Sequence, residues 1–172
     1  MTVEVDQSGK VEDTAKDTVI AFTNSLSGSV ILPAKEKRKL QEWFREVGLP
    51  KLFVDFVFAT LLTILFKLNK IKKAIIDIEY PGHTGIISEL IEEEISCQID
   101  WKRIGKLSKA HDLAYKVFVG KLLASRKVSA REVWKIVKKR TGGYLKTGLS
   151  PANRYSAPVS KRYDTTKKKK VK

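Results

Sequence analysis

Residues 72–85, KKAIIDIEYPGHTG, combine a β-rich run, a turn and the start of a helix. The run KKAIIDIEY stops at Pro81 and Gly82, which are residues that terminate strands. A second unit of the same kind follows, with QIDWKRIG (98–105) as the strand and SKAHDLAYKVFVGKLLA (108–124) as the helix. Two consecutive strand-turn-helix units predict a small α/β sheet with parallel neighbouring strands.

Other segments complete this prediction. TVIAFTNSLSGSVILP (18–33) reads as a hairpin, and PAKEKRKLQEWFREVG (33–48) as an amphipathic helix. The apolar helix that begins at Pro50 is uncharged only from Phe56 to Phe66, which is too short to span a bilayer, so we expect it to be buried. The last helix starts with a capping box at Ser129 and ends near Lys139. The predicted fold is therefore a small mixed α/β sheet with a leading hairpin, parallel strand-helix units and a flexible basic C-terminal tail.

Three regions are predicted from composition. Residues 1–17 are charged and without periodicity, and we expect a flexible acidic segment. Residues 18–140 form a single α/β domain. Residues 141–172, rich in Gly, Pro, Ser and basic residues, form an extended tail.

The charge of the chain favours polyanionic partners. Its formal net charge is +15, and residues 138–172 alone carry twelve basic residues and one acidic residue. Neutralising phosphates with Lys and Arg releases counterions, so RNA is the expected partner, and nothing indicates a membrane anchor. A single cysteine, Cys97, and no signal-peptide pattern favour a cytoplasmic protein. The abundance of Lys, Glu and Ile resembles thermophile composition, and the sequence defines no oligomeric state.

Asp77 and Glu79 lie two apart on the first predicted strand of these units, and so on one face of it. The simplest interpretation is the solvated face of an edge strand, or pairing with a nearby lysine (Lys72, Lys73 or Lys102). In that interpretation the chain has no cofactor. The alternative is a Mg²⁺ site, which would need further carboxylates from Asp55, Glu89 or Asp112.

Both histidines lie at strand-to-helix junctions, where helix N-termini expose free amides. We expect the two junctions to be neighbours and to form a rim that contacts phosphate. The residues of this predicted rim are His83, Thr84, Gly85, Lys106, Ser108, Lys109 and His111. The simpler interpretation is two ordinary turns with helix caps.

Tyrosines alternate with basic residues after the last predicted helix, a pattern that can grip unpaired RNA by stacking and phosphate contacts. The residues predicted to bind in this way are Lys138, Lys139, Arg140, Tyr144, Lys146, Arg154, Tyr155, Lys161, Arg162, Tyr163, Lys167, Lys168, Lys169 and Lys170. A solubilising tail or a localisation signal is the alternative.

The order of elements over residues 19–139 resembles the ribonuclease-H-like superfamily, in which a leading hairpin precedes alternating helices and strands. Nucleases of that superfamily carry an essential aspartate on the first strand. The hairpin strand VIAFTN (19–24), matched to that position, has no acid, which implies a non-catalytic member. The sequence therefore favours a non-catalytic RNA-binding protein, such as a ribosome or ribonucleoprotein component that contacts rRNA and ribosomal proteins. The alternative is a metal-dependent nuclease or resolvase that uses Asp77 and Glu79. A protein-protein adaptor is a third possibility.

Overall fold

The computed structural model describes residues 1–146, with side chains described as far as Thr141. Six strands, five α-helices and a short 3-10 helix follow one another in this part of the chain. In chain order they are β1 Val3–Ser8, β2 Thr18–Thr23, β3 Ser27–Leu32, α1 Ala34–Glu46, the 3-10 helix Pro50–Leu52, α2 Phe53–Asn69, β4 Lys73–Asp77, α3 Thr84–Glu92, β5 Gln98–Lys102, α4 Lys109–Phe118, β6 Arg126–Lys127 and α5 Ala130–Lys146.

The sheet is mixed, which confirms the predicted α/β class. Its strand order is β5-β4-β1-β2-β3-β6. The strands β1, β2 and β3 are antiparallel neighbours, whereas β4 lies parallel to β1, β5 parallel to β4, and β6 parallel to β3. The predicted hairpin is confirmed as β2 and β3. The two predicted strand-turn-helix units are confirmed as β4 with α3 and β5 with α4.

The prediction that residues 1–17 are flexible is wrong for Val3–Ser8. This segment is β1, a central strand that pairs with β2 on one side and β4 on the other. Val3 and Val5 are buried in the main core, so two apolar residues and two flanking strands are enough to order a segment rich in charge. The domain therefore begins well before residue 18.

Helices cover both faces of the sheet, and alternate residues of each strand point to opposite faces. On β2, Ile20 and Phe22 belong to the main core with α2, whereas Val19 and Ala21 pack against Ala114 of α4. The helix α4 thus lies on the face opposite to α2. This division decides which polar side chains of β1 and β4 can meet.

The helix α2 is the apolar centre of the main core. Residues Pro50–Asn69 are long and apolar enough to cross a membrane, but 78% of their most apolar window is buried within the protein. This agrees with the predicted buried helix. The side chains that surround it come from α1, α3, α5 and the sheet.

The last helix extends beyond its predicted end at Lys139 and runs to Lys146. The predicted capping box is confirmed: the Ser129 amide donates to Glu132 Oε2, and the Glu132 amide donates to Ser129 Oγ. The extension follows from Arg140, which is 7% exposed and donates from Nη2 to the Leu90 carbonyl oxygen at 2.6 Å. A buried arginine that joins α5 to α3 stabilises the turn after Lys139.

The connection between β1 and β2 begins with a glycine that no other residue can easily replace. Gly9 has φ +78°, and an added Cβ would lie 2.1 Å from the Asp17 carbonyl oxygen and 2.7 Å from Cε2 of Phe118. The left-handed backbone and the close approach of α4 both require glycine here. The chain therefore turns sharply directly after β1.

Lys37 of α1 binds the same connection, and its side chain is fully buried. Its Nζ donates to the carbonyl oxygens of Lys10 and Asp13, at 2.9 and 2.7 Å, and to Thr18 Oγ1 at 2.9 Å. Burial lowers the pKa of Lys37 from 10.5 to about 8. This ammonium group holds residues 10–17, which form no helix or strand, against α1 and the start of β2.

Candidate metal centre

Three carboxylates meet at the α4 side of the sheet, on the neighbouring strands β1 and β4. Val5 of β1 pairs with Ile76 of β4. The next residues of the two strands, Asp6 and Asp77, are therefore neighbours, and their side chains lie on the face opposite to these core residues. Glu79, two residues past Asp77, joins them. One oxygen from each of Asp6, Asp77 and Glu79 lies within 4.8 Å of the other two.

Asp6, Asp77 and Glu79 are each held in place by neighbouring groups. Asp6 Oδ1 accepts from the Gln7 amide at 2.6 Å, and Asp77 Oδ1 accepts from the Ile104 amide at 2.6 Å. Lys10 Nζ donates to Glu79 Oε2 at 2.7 Å. These hydrogen bonds restrain the three carboxylates in the positions where their oxygens approach one another.

The electrostatics of the cluster are unfavourable for three ionised carboxylates. Burial raises the pKa of Asp6, and the charge of Asp77 raises it further. Burial likewise raises the pKa of Glu79, with smaller contributions from Asp6 and Asp77, although Lys10 lowers it. A bound cation would remove this repulsion, since oxygen ligands of this kind are those that Mg²⁺ and Mn²⁺ prefer.

His111 of α4 adds a nitrogen to the cluster. Its Nδ1 lies 2.9 Å from Asp6 Oδ2, and its side chain is one-third exposed. In the tautomer whose Nδ1–H donates to Asp6, the Nε2 atom carries a lone pair. The arrangement can therefore accept a proton beside the three carboxylates.

These contacts correct the interpretation of Asp77 and Glu79 as the solvated face of an edge strand. The strand β4 lies between β1 and β5, and Glu79 pairs with Lys10 rather than with Lys72, Lys73 or Lys102. The third acid is Asp6 and not one of the acids considered from the sequence. Asp112 is on the outer side of α4, where it pairs with Lys116 at 2.7 Å.

The predicted rim is divided by the sheet. His111 contacts Asp6 from α4, whereas Nδ1 of His83 lies 2.8 and 3.0 Å from the two carboxylate oxygens of Asp55 in α2, on the opposite face. Burial raises the pKa of Asp55. The two junctions are at the same edge of neighbouring parallel strands, but their histidines do not converge on one ligand.

The other members of the predicted rim divide between these two places. Ser108 is confirmed as the cap of α4, since its Oγ accepts from the Ala110 amide, and it also donates to Glu4. Thr84 is the first residue of α3 and makes no cap bond, and Gly85 follows it within the helix. Lys106 and Lys109 are exposed between β5 and the first turn of α4.

The predicted tail contacts fall partly within the described residues. Lys138 and Lys139 are exposed on α5, as nucleic-acid contact requires. Arg140 is not exposed, and its prediction as a nucleic-acid ligand is wrong because its guanidinium bonds Leu90 and Thr60 inside the protein. The side chains of Tyr144 and Lys146 lie outside the described part of the chain, as do the remaining predicted tail residues, Arg154, Tyr155, Lys161, Arg162, Tyr163, Lys167, Lys168, Lys169 and Lys170.

Sequence reasoning missed Asp6 and Lys10, although VEVDQSGK contains a signal for both. Val3 and Val5 alternate with Glu4 and Asp6, which is the period of a half-buried strand. The glycine after this alternation indicates a turn that brings Lys10 back toward the strand end.

No protein-family model matches this chain, and the comparisons with curated proteins and with solved structures find no similar protein. The chemistry of the cluster is therefore the basis on which a function is assigned.

Proposed function

We propose that this chain is a metal-dependent nuclease, which hydrolyses phosphodiester bonds with a divalent cation held by Asp6, Asp77 and Glu79. The observation that carries the proposal is the convergence of these three carboxylates within 4.8 Å, from two adjoining parallel strands. Holding three acids together costs folding free energy because of their mutual repulsion and burial. A bound cation offsets that cost.

The topology supports the same proposal. Three antiparallel strands are followed by the parallel strands β4 and β5 on the β1 side, in the order β5-β4-β1-β2-β3. The first strand is β1 rather than VIAFTN, and it carries Asp6. The premise for a non-catalytic member of the ribonuclease-H-like superfamily is thereby removed, and an aspartate on the first strand is what its nucleases share.

The charges near the cluster favour a polyanionic substrate. The stretch 102–109, from the last residue of β5 to the first residue of α4, contributes the Ile104 amide to Asp77 and leads to His111. Its basic side chains are exposed, and a phosphodiester chain can lie along them with a scissile phosphate at the cluster. These side chains are Lys102, Arg103, Lys106 and Lys109.

The chemical step follows from the groups at the site. A cation held by Asp6, Asp77 and Glu79 would supply Lewis-acid activation of a water molecule and of the phosphate. The water oxygen forms a bond to phosphorus as the bond to the leaving sugar oxygen breaks. His111 Nε2 accepts the proton of the attacking water, while Asp6 holds the ring through Nδ1. Solvent returns a proton to the leaving oxygen.

The test is cleavage of end-labelled RNA, DNA and RNA–DNA hybrid by the full chain, with Mg²⁺, with Mn²⁺ and with chelator. The proposal predicts cation-dependent cleavage that Asp6→Asn and Asp77→Asn each reduce by about a hundredfold or more. The matched control is Asp112→Asn, which removes an exposed acid of α4 and should leave the rate unchanged. Equal rates in all variants, or no cleavage of any substrate, would contradict it.

Binding of RNA without catalysis is the second candidate, and the charge of the chain favours it. The net charge is +15, with twelve basic residues among residues 138–172. The same experiment separates the two: RNA affinity that is retained in the absence of any cation-dependent cleavage supports a binding protein.

A further inference from the structure

Lys10 contacts the carboxylate cluster at Glu79, whereas His111 contacts it at Asp6. The Nζ of Lys10 donates to Glu79 Oε2 and to the Glu79 carbonyl oxygen, both at 2.7 Å. It also lies 4.8 Å from the centre of the Tyr80 ring, as a cation–π contact. The ammonium group therefore has three contacts to two consecutive residues at the end of β4.

The position of Lys10 is fixed more firmly than that of an ordinary surface lysine. The hydroxyl of Tyr80 accepts from the Val11 amide at 3.0 Å and from Gln7 Nε2 at 3.1 Å, so the ring under Lys10 is bonded on both sides of the turn. The Lys10 carbonyl accepts from the buried Lys37. The side chain is nonetheless 46% exposed, which leaves its ammonium group accessible to a substrate.

We propose that the ammonium group of Lys10 takes the place of a second metal ion, so that the centre works with one divalent cation. This inference rests on the proposed nuclease function. Two-metal sites hold their ions about 4 Å apart and clamp both the attacking and the leaving oxygens. Here one oxygen of the Glu79 carboxylate would bind the metal, and the other would accept the hydrogen bond from Lys10.

The charge balance supports one metal ion. The three carboxylates carry a charge of −3 when ionised, which one divalent cation and one ammonium group neutralise. A second divalent cation beside Lys10 would leave a strong local excess of positive charge among ligands that are already shared. In the reaction, Lys10 donates a hydrogen bond to a phosphate oxygen whose negative charge grows as the water oxygen binds phosphorus. Lys10 transfers no proton in this step.

The experiment compares the full-length wild type with Lys10→Met, which keeps the length of the side chain and removes the charge. Mn²⁺ binding is measured by calorimetry, and cleavage is measured as a function of Mg²⁺ concentration. The matched control is Lys16→Met, because Lys16 belongs to the same connection but pairs only with Asp13, at 3.7 Å. A thermal melt of each variant without metal reports whether it is folded. Lys10→Arg, which keeps the positive charge, is measured as well and serves as the test variant if Lys10→Met does not fold.

The inference predicts one Mn²⁺ per wild-type cluster and at least about fivefold tighter binding to Lys10→Met, since a competing positive charge is gone. Cleavage by Lys10→Met should fall about a hundredfold, with a steeper dependence on Mg²⁺ as a second ion replaces the ammonium group. Lys10→Arg should retain more activity than Lys10→Met.

Wild-type cleavage with two Mn²⁺ in the cluster, or a Lys10→Met variant that binds and cleaves as Lys16→Met does, would overturn the role of Lys10 alone. A wild type that neither binds Mn²⁺ at the cluster nor cleaves would overturn the nuclease proposal and this inference with it.

Discussion

Replacing Asp6 with asparagine should stabilise the metal-free protein and abolish its response to divalent cations. An Asp6 oxygen lies within 4.8 Å of an Asp77 oxygen. At that separation two unit charges repel by about 3.5 kcal/mol at an effective dielectric constant of about 20, and by about 0.9 kcal/mol in bulk water. Because Asp77 is partly exposed and His111 offsets part of the repulsion, we expect a net gain of about 1 kcal/mol, or roughly 2–4 °C in Tm.

The sign of the pH dependence follows from the raised pKa of Asp6. The folded protein binds this proton more tightly than the unfolded chain, whose carboxyl titrates near 3.8. The Asp6 contribution to the free energy of unfolding therefore falls as pH rises from that value through the folded pKa, and stays low at neutral pH. Asparagine has no such dependence, so the advantage of Asp6→Asn should be absent in acid and largest near neutrality.

The assay is thermal unfolding of wild type, Asp6→Asn and the control Asp112→Asn, each with chelator and with Mn²⁺. At a Mn²⁺ concentration of about 100 times Kd, the wild type should gain about 2.7 kcal/mol. The control should gain the same, and Asp6→Asn almost nothing. A less stable Asp6→Asn in chelator, together with a wild type that does not respond to Mn²⁺, would refute the reasoning.

Three further predictions concern residues that hold the fold together. Gly9→Ala should lower the free energy of unfolding by more than about 2 kcal/mol, because the added Cβ would meet the backbone of Asp17. Gly82 has φ +85° but no atom within 4 Å of an added Cβ, so Gly82→Ala should lower it by only about 1 kcal/mol. Chemical denaturation measures both. Burial lowers the pKa of Lys37 from 10.5 to about 8, so between these two pH values the unfolded chain binds more protons than the folded protein. The free energy of unfolding should therefore gain a contribution that rises with pH across this window. Thermal melts at several pH values should show this rise in the wild type and not in Lys37→Met. Arg140→Ala should lower the free energy of unfolding by about 2–4 kcal/mol, because it leaves buried acceptors without their donor. The control Lys139→Ala, on the exposed side of α5, should lower it by less than about 0.5 kcal/mol in the same denaturation series.

Local periodicity accounts for the part of the fold that the sequence predicts well. The helices α1, α3 and α4 place apolar residues at helical spacing, and β4 and β5 are short runs bounded by turn residues. These patterns depend only on neighbours in the chain. The α/β class and the parallel units follow from them.

The candidate site depends instead on contacts between distant segments. Asp6 becomes a buried site residue because β1 inserts between β2 and β4, which nothing local to VEVDQSGK requires. Whether His83 and His111 converge depends on which face of the sheet each helix covers, and that is set by the packing of α2 and α4. Arg140 reads as a tail residue because its partners, Thr60 and Leu90, belong to α2 and α3.

The most direct test of the central claim is an anomalous difference map from crystals of the full-length protein soaked in Mn²⁺. The account predicts one peak bounded by carboxylate oxygens of Asp6, Asp77 and Glu79, with Lys10 still bonded to Glu79. A map without a peak at these three carboxylates, at Mn²⁺ concentrations that support activity in known nucleases, would contradict it.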